Sequence, residues 1–327
     1  MSGYDEDKWV PLSSDALRTR RAELRRRRAR TRQRNALVVG AIAIVAVLAP
    51  LLIVGGGRSG VVRDARRASV AAGRRDPGRG AVSARPGTRE GSVAGGGLAH
   101  RENAAIDRLL ARQPFISAGG GERREIALTF DDGPGPYTPL LLDELKRLHA
   151  PATFFEIGFM IRYFHASLDR ELRMGDVIGD HTETHPMMAL LSPGAQENQI
   201  LVQTEWLHRY RAPFPRLWRP PYGSFSATTL AILKRFRMLM VLWTVDTDDY
   251  LRPGVAVIVH RALAGARPGA IILMHDAGGT RTQTIAALPL IVHALRRRGY
   301  RLVTIPQLIL DDPPLQRHAL PTNLASG

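Results

Sequence analysis

The chain has 327 residues, 44% of them hydrophobic and 23% charged, with 31 Gly, 22 Pro and no Cys. Length and apolar content exclude a wholly disordered protein and leave room for one large domain or two modest ones. The missing Cys excludes disulfides, thiolate zinc sites, iron–sulfur clusters and cysteine nucleophiles. The net charge of +16 would suggest nucleic acid if it belonged to a fold, but six of those charges fall in residues 1–35, eight in 58–124 and only two in 125–327. No nucleic-acid partner is therefore expected.

Residues 1–35 form a basic leader that ends in Arg25-Arg26-Arg27-Arg28, Arg30, Arg32 and Arg34, and residues 36–57 carry no charge. Ala36 to Val54 is nearly all Ala, Val, Ile and Leu, without the polar face of a globular helix, and roughly 20 such residues cross a bilayer. The leader is too long for a usual cleaved signal peptide. The expectation is a transmembrane signal anchor over 36–57 with the leader in the cytoplasm and the rest outside, because basic flanks stay inside. Residues 58–121, rich in Gly, Arg, Ala, Ser and Pro, read as a disordered stalk with a short helix near 103–112 and a break at Gly119-Gly120-Gly121. A catalytic domain is expected over 122–312, followed by a tail over 313–327.

From Glu125 short apolar runs alternate with amphipathic stretches. Strands are predicted at 126–130, 152–157, 177–179, 216–218, 239–245, 270–274 and 301–305. Helices are predicted near 138–149, 163–174, 194–210, 226–236, 255–264 and 282–298. About seven strands alternating with helices predict an α/β protein with a parallel sheet; a barrel and an open doubly wound sheet both fit.

Polar residues gather where these strands end: Asp131-Asp132, His181 and His185, Arg219-Pro220-Pro221-Tyr222, Asp246 and Asp249, and His275-Asp276. Loops leaving the C-terminal ends of parallel strands converge, so five loaded ends point to a site. Asp-Gly-Pro after Asp131 is also ordinary turn chemistry. Adjacent carboxylates point apart, so one can hold a metal while the other stays free as a base. His181 and His185 are four residues apart, a spacing that puts two imidazoles on one face of a helical turn. Glu183 stands midway between them, which is not the HExxH order of zinc peptidases. One carboxylate and two imidazoles leave coordination positions open, as a catalytic zinc requires.

The blocks Thr129-Phe130-Asp131-Asp132-Gly133-Pro134, His181-Thr182-Glu183-Thr184-His185-Pro186, Arg219-Pro220-Pro221-Tyr222-Gly223, Asp246-Thr247-Asp248-Asp249-Tyr250 and Leu273-Met274-His275 occur in this order. Together they resemble the polysaccharide deacetylases of carbohydrate esterase family 4, the NodB-homology domain, over about 125–310. The resemblance implies a distorted (β/α) barrel and a divalent metal ion, zinc first and cobalt or another divalent ion as alternatives, on Asp132, His181 and His185. It implies Asp131 as catalytic base oriented by Arg219, and His275 as acid supported by Asp246. It further implies an oxyanion contact from the Tyr222 backbone N–H, and Leu273 lining the acetyl pocket. Tyr250 stands where the family usually has Trp, and Asp180 where it commonly has Asn. The implied activity is N-deacetylation of an acetylated cell-wall glycan, peptidoglycan N-acetylglucosamine first. Alternatives are an O-acetyl esterase, a chitooligosaccharide deacetylase or an inactive glycan-binding module.

Overall fold

The computed structural model describes residues 91–314. The basic leader, the expected membrane span, the first part of the stalk and the tail from 315 lie outside the described residues. Among those described, no helix is long and apolar enough to cross a membrane.

In chain order the elements are α1 (Gly91–Leu110), β1 (Phe115–Ile116), β2 (Glu125–Asp131), α2 (Thr138–Leu148), β3 (Thr153–Glu156), α3 (Gly158–Met174), β4 (Val177–Asp180), α4 (Pro193–Arg209), β5 (Leu217–Trp218), α5 (Ala227–Arg235), β6 (Leu239–Val241), β7 (Val245–Asp246), α6 (Val255–Ala264), β8 (Ala270–His275), α7 (Thr282–Arg297), β9 (Arg301–Val303) and α8 (Ile305–Asp311). Local chemistry sets several boundaries. Leu141, Leu142, Leu145 and Leu148 line the buried face of α2 at helical spacing. Gly175, at φ 82°, ends α3, and a reciprocal Ser226–Thr229 capping box starts α5.

Among the described residues nine strands form one sheet and all pair in parallel: eight stand in the order β1-β6-β5-β4-β3-β2-β8-β7, and β9 pairs with β2 off that path. Strand β2 is central. Along one edge it pairs with β8 over Ile126–Asp131; it also pairs with β9 at its start and β3 at its end. The curled sheet with its covering helices fits the expected distorted barrel, with nine strands among the described residues in place of about seven.

Alternation along the strands sorts the core into two layers. Ile126, Leu128 and Phe130 of β2 join Phe154 of β3 and Ile272 and Met274 of β8 under α2 and α7. Ala127, Phe155, Leu217, Val241 and Ile271 form the inner layer with Ile106, Leu109 and Ile116.

Three expectations are corrected here. The predicted strand 239–245 is two strands, because the backbone turns away after Val241 and Thr244 N–H donates to Ile271 O at 3.0 Å. Strand β1 was not anticipated; two residues are too few to give a period. The stalk does not run to 121: Ala105, Ile106 and Leu109 are buried and Phe115–Ile116 pairs with β6. The triple glycine is not a break either. Gly120 N–H donates to Asp312 O at 2.6 Å, and a Cβ at Gly120 would overlap the Asp312 carboxylate. Glycine is there because two chain segments meet backbone to side chain.

Candidate active site

The polar strand ends do converge. Alternation that puts Phe130 among the helices puts Thr129 and Asp131 on the inner face, and the same parity puts Leu273 and His275 of β8 there. Register then makes Asp131 and His275 direct neighbours on adjacent strands. Arg219, just past β5, reaches across beneath them with its side chain out of solvent. Its Nη1 donates to Asp131 Oδ1 and Thr129 Oγ1, each at 2.8 Å, and its Nε to Val241 O at 3.1 Å. The guanidinium lies 4.1 Å over the Phe155 ring and 5.8 Å from that of Trp243. Asp131 is thus pinned by one oxygen. Burial raises its carboxyl above the usual range, while Arg219 and His275 pull it back.

Asp132 turns away from its neighbour at φ 75° and meets the two histidines. Its Oδ1 lies 3.2 Å from His185 Nε2 and 3.7 Å from His181 Nε2. The histidines are not on a helical turn, as the spacing suggested. Residues 181–187 are a loop in which Thr182 (φ 72°) and His185 (φ 57°) are left-handed. Asp180 Oδ1 accepts Thr182 N–H at 2.6 Å, Thr182 Oγ1 accepts His185 N–H at 3.0 Å, and the rings end 4.9 Å apart. Among the described residues, five of the nine non-glycine residues with positive φ (Asp132, Thr182, His185, Tyr222 and Asp248) belong to this edge, and such strain persists only where the surroundings enforce it.

These three side chains fit a divalent ion. His181 Nδ1 bonds Arg219 O at 2.8 Å, which assigns its proton to that nitrogen and leaves the Nε2 lone pair facing Asp132. Burial, with His185 beside it, pushes His181 down to about 3, so its imidazole is neutral, the form that ligates. Asp132 Oδ1 is buried without a hydrogen-bond partner, an orphan that a cation between it and the imidazoles would satisfy.

His275 departs from expectation in its partner. Asp249, not Asp246, supports it: Asp249 Oδ1 lies 2.7 Å from His275 Nδ1, and Oδ2 accepts His275 N–H at 3.0 Å and the Thr284 hydroxyl at 2.6 Å. Asp246 instead accepts Asp248 N–H at 2.8 Å, because the chain turns immediately after it. Burial opposes charge on His275, but the hydrogen bond and charge of Asp249, with Asp131 and Asp132 beyond, raise the imidazole to about 9. Around these groups stand Tyr222, its ring 4.5 Å from that of His185, and Tyr250, 5.4 Å from His275; both are largely exposed. Leu273 is buried one step below His275. Thr129 was missed, although its place two residues before Asp131 puts it on the same face.

The sequence profile of the family described as polysaccharide deacetylase matches residues 118–241. A peptidoglycan-N-acetylglucosamine deacetylase of Bacillus cereus is 39% identical over 187 residues, covering 56% of this chain and 87% of that protein. A chitooligosaccharide deacetylase of Bradyrhizobium sp. is 37% identical over 199 residues, 57% of this chain and 90% of that one. Among solved structures, the Bc1960 peptidoglycan N-acetylglucosamine deacetylase superposes with a TM-score of 0.59 at 34% identity, covering 61% of this chain and 94% of that chain.

Proposed function

The chain belongs to the polysaccharide deacetylase family and is an N-deacetylating hydrolase, and from that premise we propose that its substrate is peptidoglycan N-acetylglucosamine, hydrolysed with Asp131 as base and His275 as acid. The observation that carries the roles is the register of β2 on β8. It sets a buried carboxylate beside a cationic imidazole, at the edge where Asp132, His181 and His185 meet.

In this reading Asp132, His181 and His185 hold one divalent ion, zinc first. When bound, such an ion supplies a Lewis acid that polarises the acetyl carbonyl and favours ionisation of water. Asp131 takes the proton of the attacking water through its free Oδ2, while Arg219 holds the other oxygen and keeps the carboxylate aimed inward. The Tyr222 backbone N–H donates to the oxygen that becomes negative. His275 carries its proton to the departing amine nitrogen, and Asp249 keeps that proton source charged and its ring oriented. Asp246 supports this wall through the Asp248 turn, Leu273 floors the acetyl pocket and Tyr250 flanks the sugar.

The charge pattern of residues 1–57 supports an anchored protein: leader inside, span over 36–57, catalytic domain facing envelope glycan. A reporter fused after Gly327 should be active only outside the cytoplasm; activity inside alone would reverse the topology. For the chemistry, the chain is incubated with zinc and, separately, peptidoglycan, chitooligosaccharides and O-acetylated xylan, and released acetate is measured. Peptidoglycan is expected to give the fastest release. Preference for either other substrate would reassign the glycan, and zinc binding without any release would make the domain a glycan-binding module.

A further inference from the structure

On the opposite face of the sheet from Asp131 lies a group of acids that this chemistry does not use. In β3 the residue facing the helices with Phe154 is Glu156, and past β8 the same parity that places Met274 there places Asp276. Helix α3 lays Glu171 over them, on its buried face. All three side chains are completely excluded from solvent, and one oxygen from each lies within 4.8 Å of the others.

Their oxygens are not satisfied by the protein. Among the described residues, no N–H or hydroxyl donor reaches either oxygen of Glu156, either oxygen of Glu171 or Oδ1 of Asp276; Glu156 and Glu171 meet each other carboxyl to carboxyl. Only Asp276 Oδ2 is met, by the Thr138 hydroxyl. Among the described residues, no salt bridge reaches any of the three. A proton held between Glu156 and Glu171 would serve that pair, and burial likewise favours the protonated form of Asp276, so shared protons and a bound cation are the two ways to remove the charge. Three carboxylates this close and this dry cannot all stay charged without a counter-charge.

We propose that Glu156, Glu171 and Asp276 form a second cation site, oxygen-only and calcium-like, separate from Asp132, His181 and His185. The donor set decides the class: no imidazole or thiolate is present, and carboxylates alone select hard ions. Enclosure decides further. Magnesium keeps several of its waters, which side chains cut off from solvent do not supply, whereas calcium accepts about six to eight oxygens and takes carboxylates two atoms at a time. The ion would also brace the catalytic edge, since Asp276 N–H donates to Asp131 O at 3.2 Å and Gly133 lies so close to Asp276 that any Cβ there would overlap its carboxylate.

The test uses the full-length chain carrying His181→Ala and His185→Ala, so that the imidazole site is removed. After chelation and titration with calcium chloride, it should bind one calcium per chain and melt at a higher temperature. Adding Glu171→Gln should abolish both the binding and the calcium-dependent shift, while Glu171→Gln in the otherwise native chain should still bind zinc. Absence of calcium binding at millimolar concentration would overturn the proposal, even should Glu171→Gln not fold. Equal binding with and without Glu171→Gln would overturn it as well, by placing the calcium elsewhere.

Discussion

Asp131 has two tasks that its two oxygens divide. One accepts Arg219 at 2.8 Å; the other lies 3.7 Å from His181 Nε2, toward the cluster of possible ligands. Asp131→Asn keeps the volume and removes the basicity, so acetate release should fall by roughly two to four orders of magnitude, with zinc still bound by Asp132, His181 and His185. Loss of zinc together with activity, measured by metal analysis, would make Asp131 a ligand instead. His275 gives a pH test. A general acid works while protonated, so the rate should fall as pH rises past the imidazole's pKa, no higher than about 9 and lower once a nearby metal cation adds its charge. Asp249→Asn removes the main group that raises His275, so this basic limb should move to lower pH. The rate on amides should drop more than on phenolic acetates, whose leaving group needs the proton less. A limb that stays in place would detach Asp249 from His275.

At the level of elements, the segment before β2 is part of the catalytic fold rather than its tether. Helix α1 contributes Ile106 and Leu109 to the inner layer, and Asp107 reaches Arg216 at 2.5 Å and Arg237 at 2.6 Å. These two kinds of contact differ in worth. Leu109→Ala opens a cavity in a buried cluster and should cost about 2–5 kcal/mol. Asp107→Asn breaks ion pairs that water reaches and should cost no more than about 1 kcal/mol. Equilibrium denaturation of the two variants compares them; equal small losses would mean that α1 merely rests on the domain. Composition hid this. Gly91–Gly97 is as glycine-rich as the stalk, and the apolar residues that dock are few, widely spaced and followed by a two-residue strand.

For the molecule as a whole, buried acids tie stability to pH. Burial raises Asp176 to about 7, with the Ala152 N–H bond pulling the other way. The unfolded chain gives up this proton near the ordinary carboxylate value of about 4. Between those two values the folded state holds the extra proton, so stability should fall as pH rises from about 4 to about 7 and level off above. The total for this group is at most roughly 4 kcal/mol. Asp176→Asn should flatten that part of the melting-temperature profile; an unchanged slope would show that Asp176 titrates normally.

What the sequence by itself determined is local. Short apolar runs marked β2 and β8, amphipathic stretches marked the helices between strands, and the residues of the edge (Asp131, Asp132, His181, His185, Arg219 and His275) could be named because each lies at the end of its own strand. These signals lie within a few neighbouring residues and need no partner to be read. Tertiary structure alone decided who meets whom. Asp131 neighbours His275 because β2 pairs with β8, 144 positions away. Asp249 rather than Asp246 reaches His275 because the turn after β7 swings it under Thr284. Glu156, Glu171 and Asp276 read singly as an interruption of a strand, a polar helix position and a loop acid. Only the packing of α3 across β3 and β8 brings them within 4.8 Å. Register between distant strands is set by how two faces bury their apolar side chains at once, a property of the assembled layers that no single segment carries.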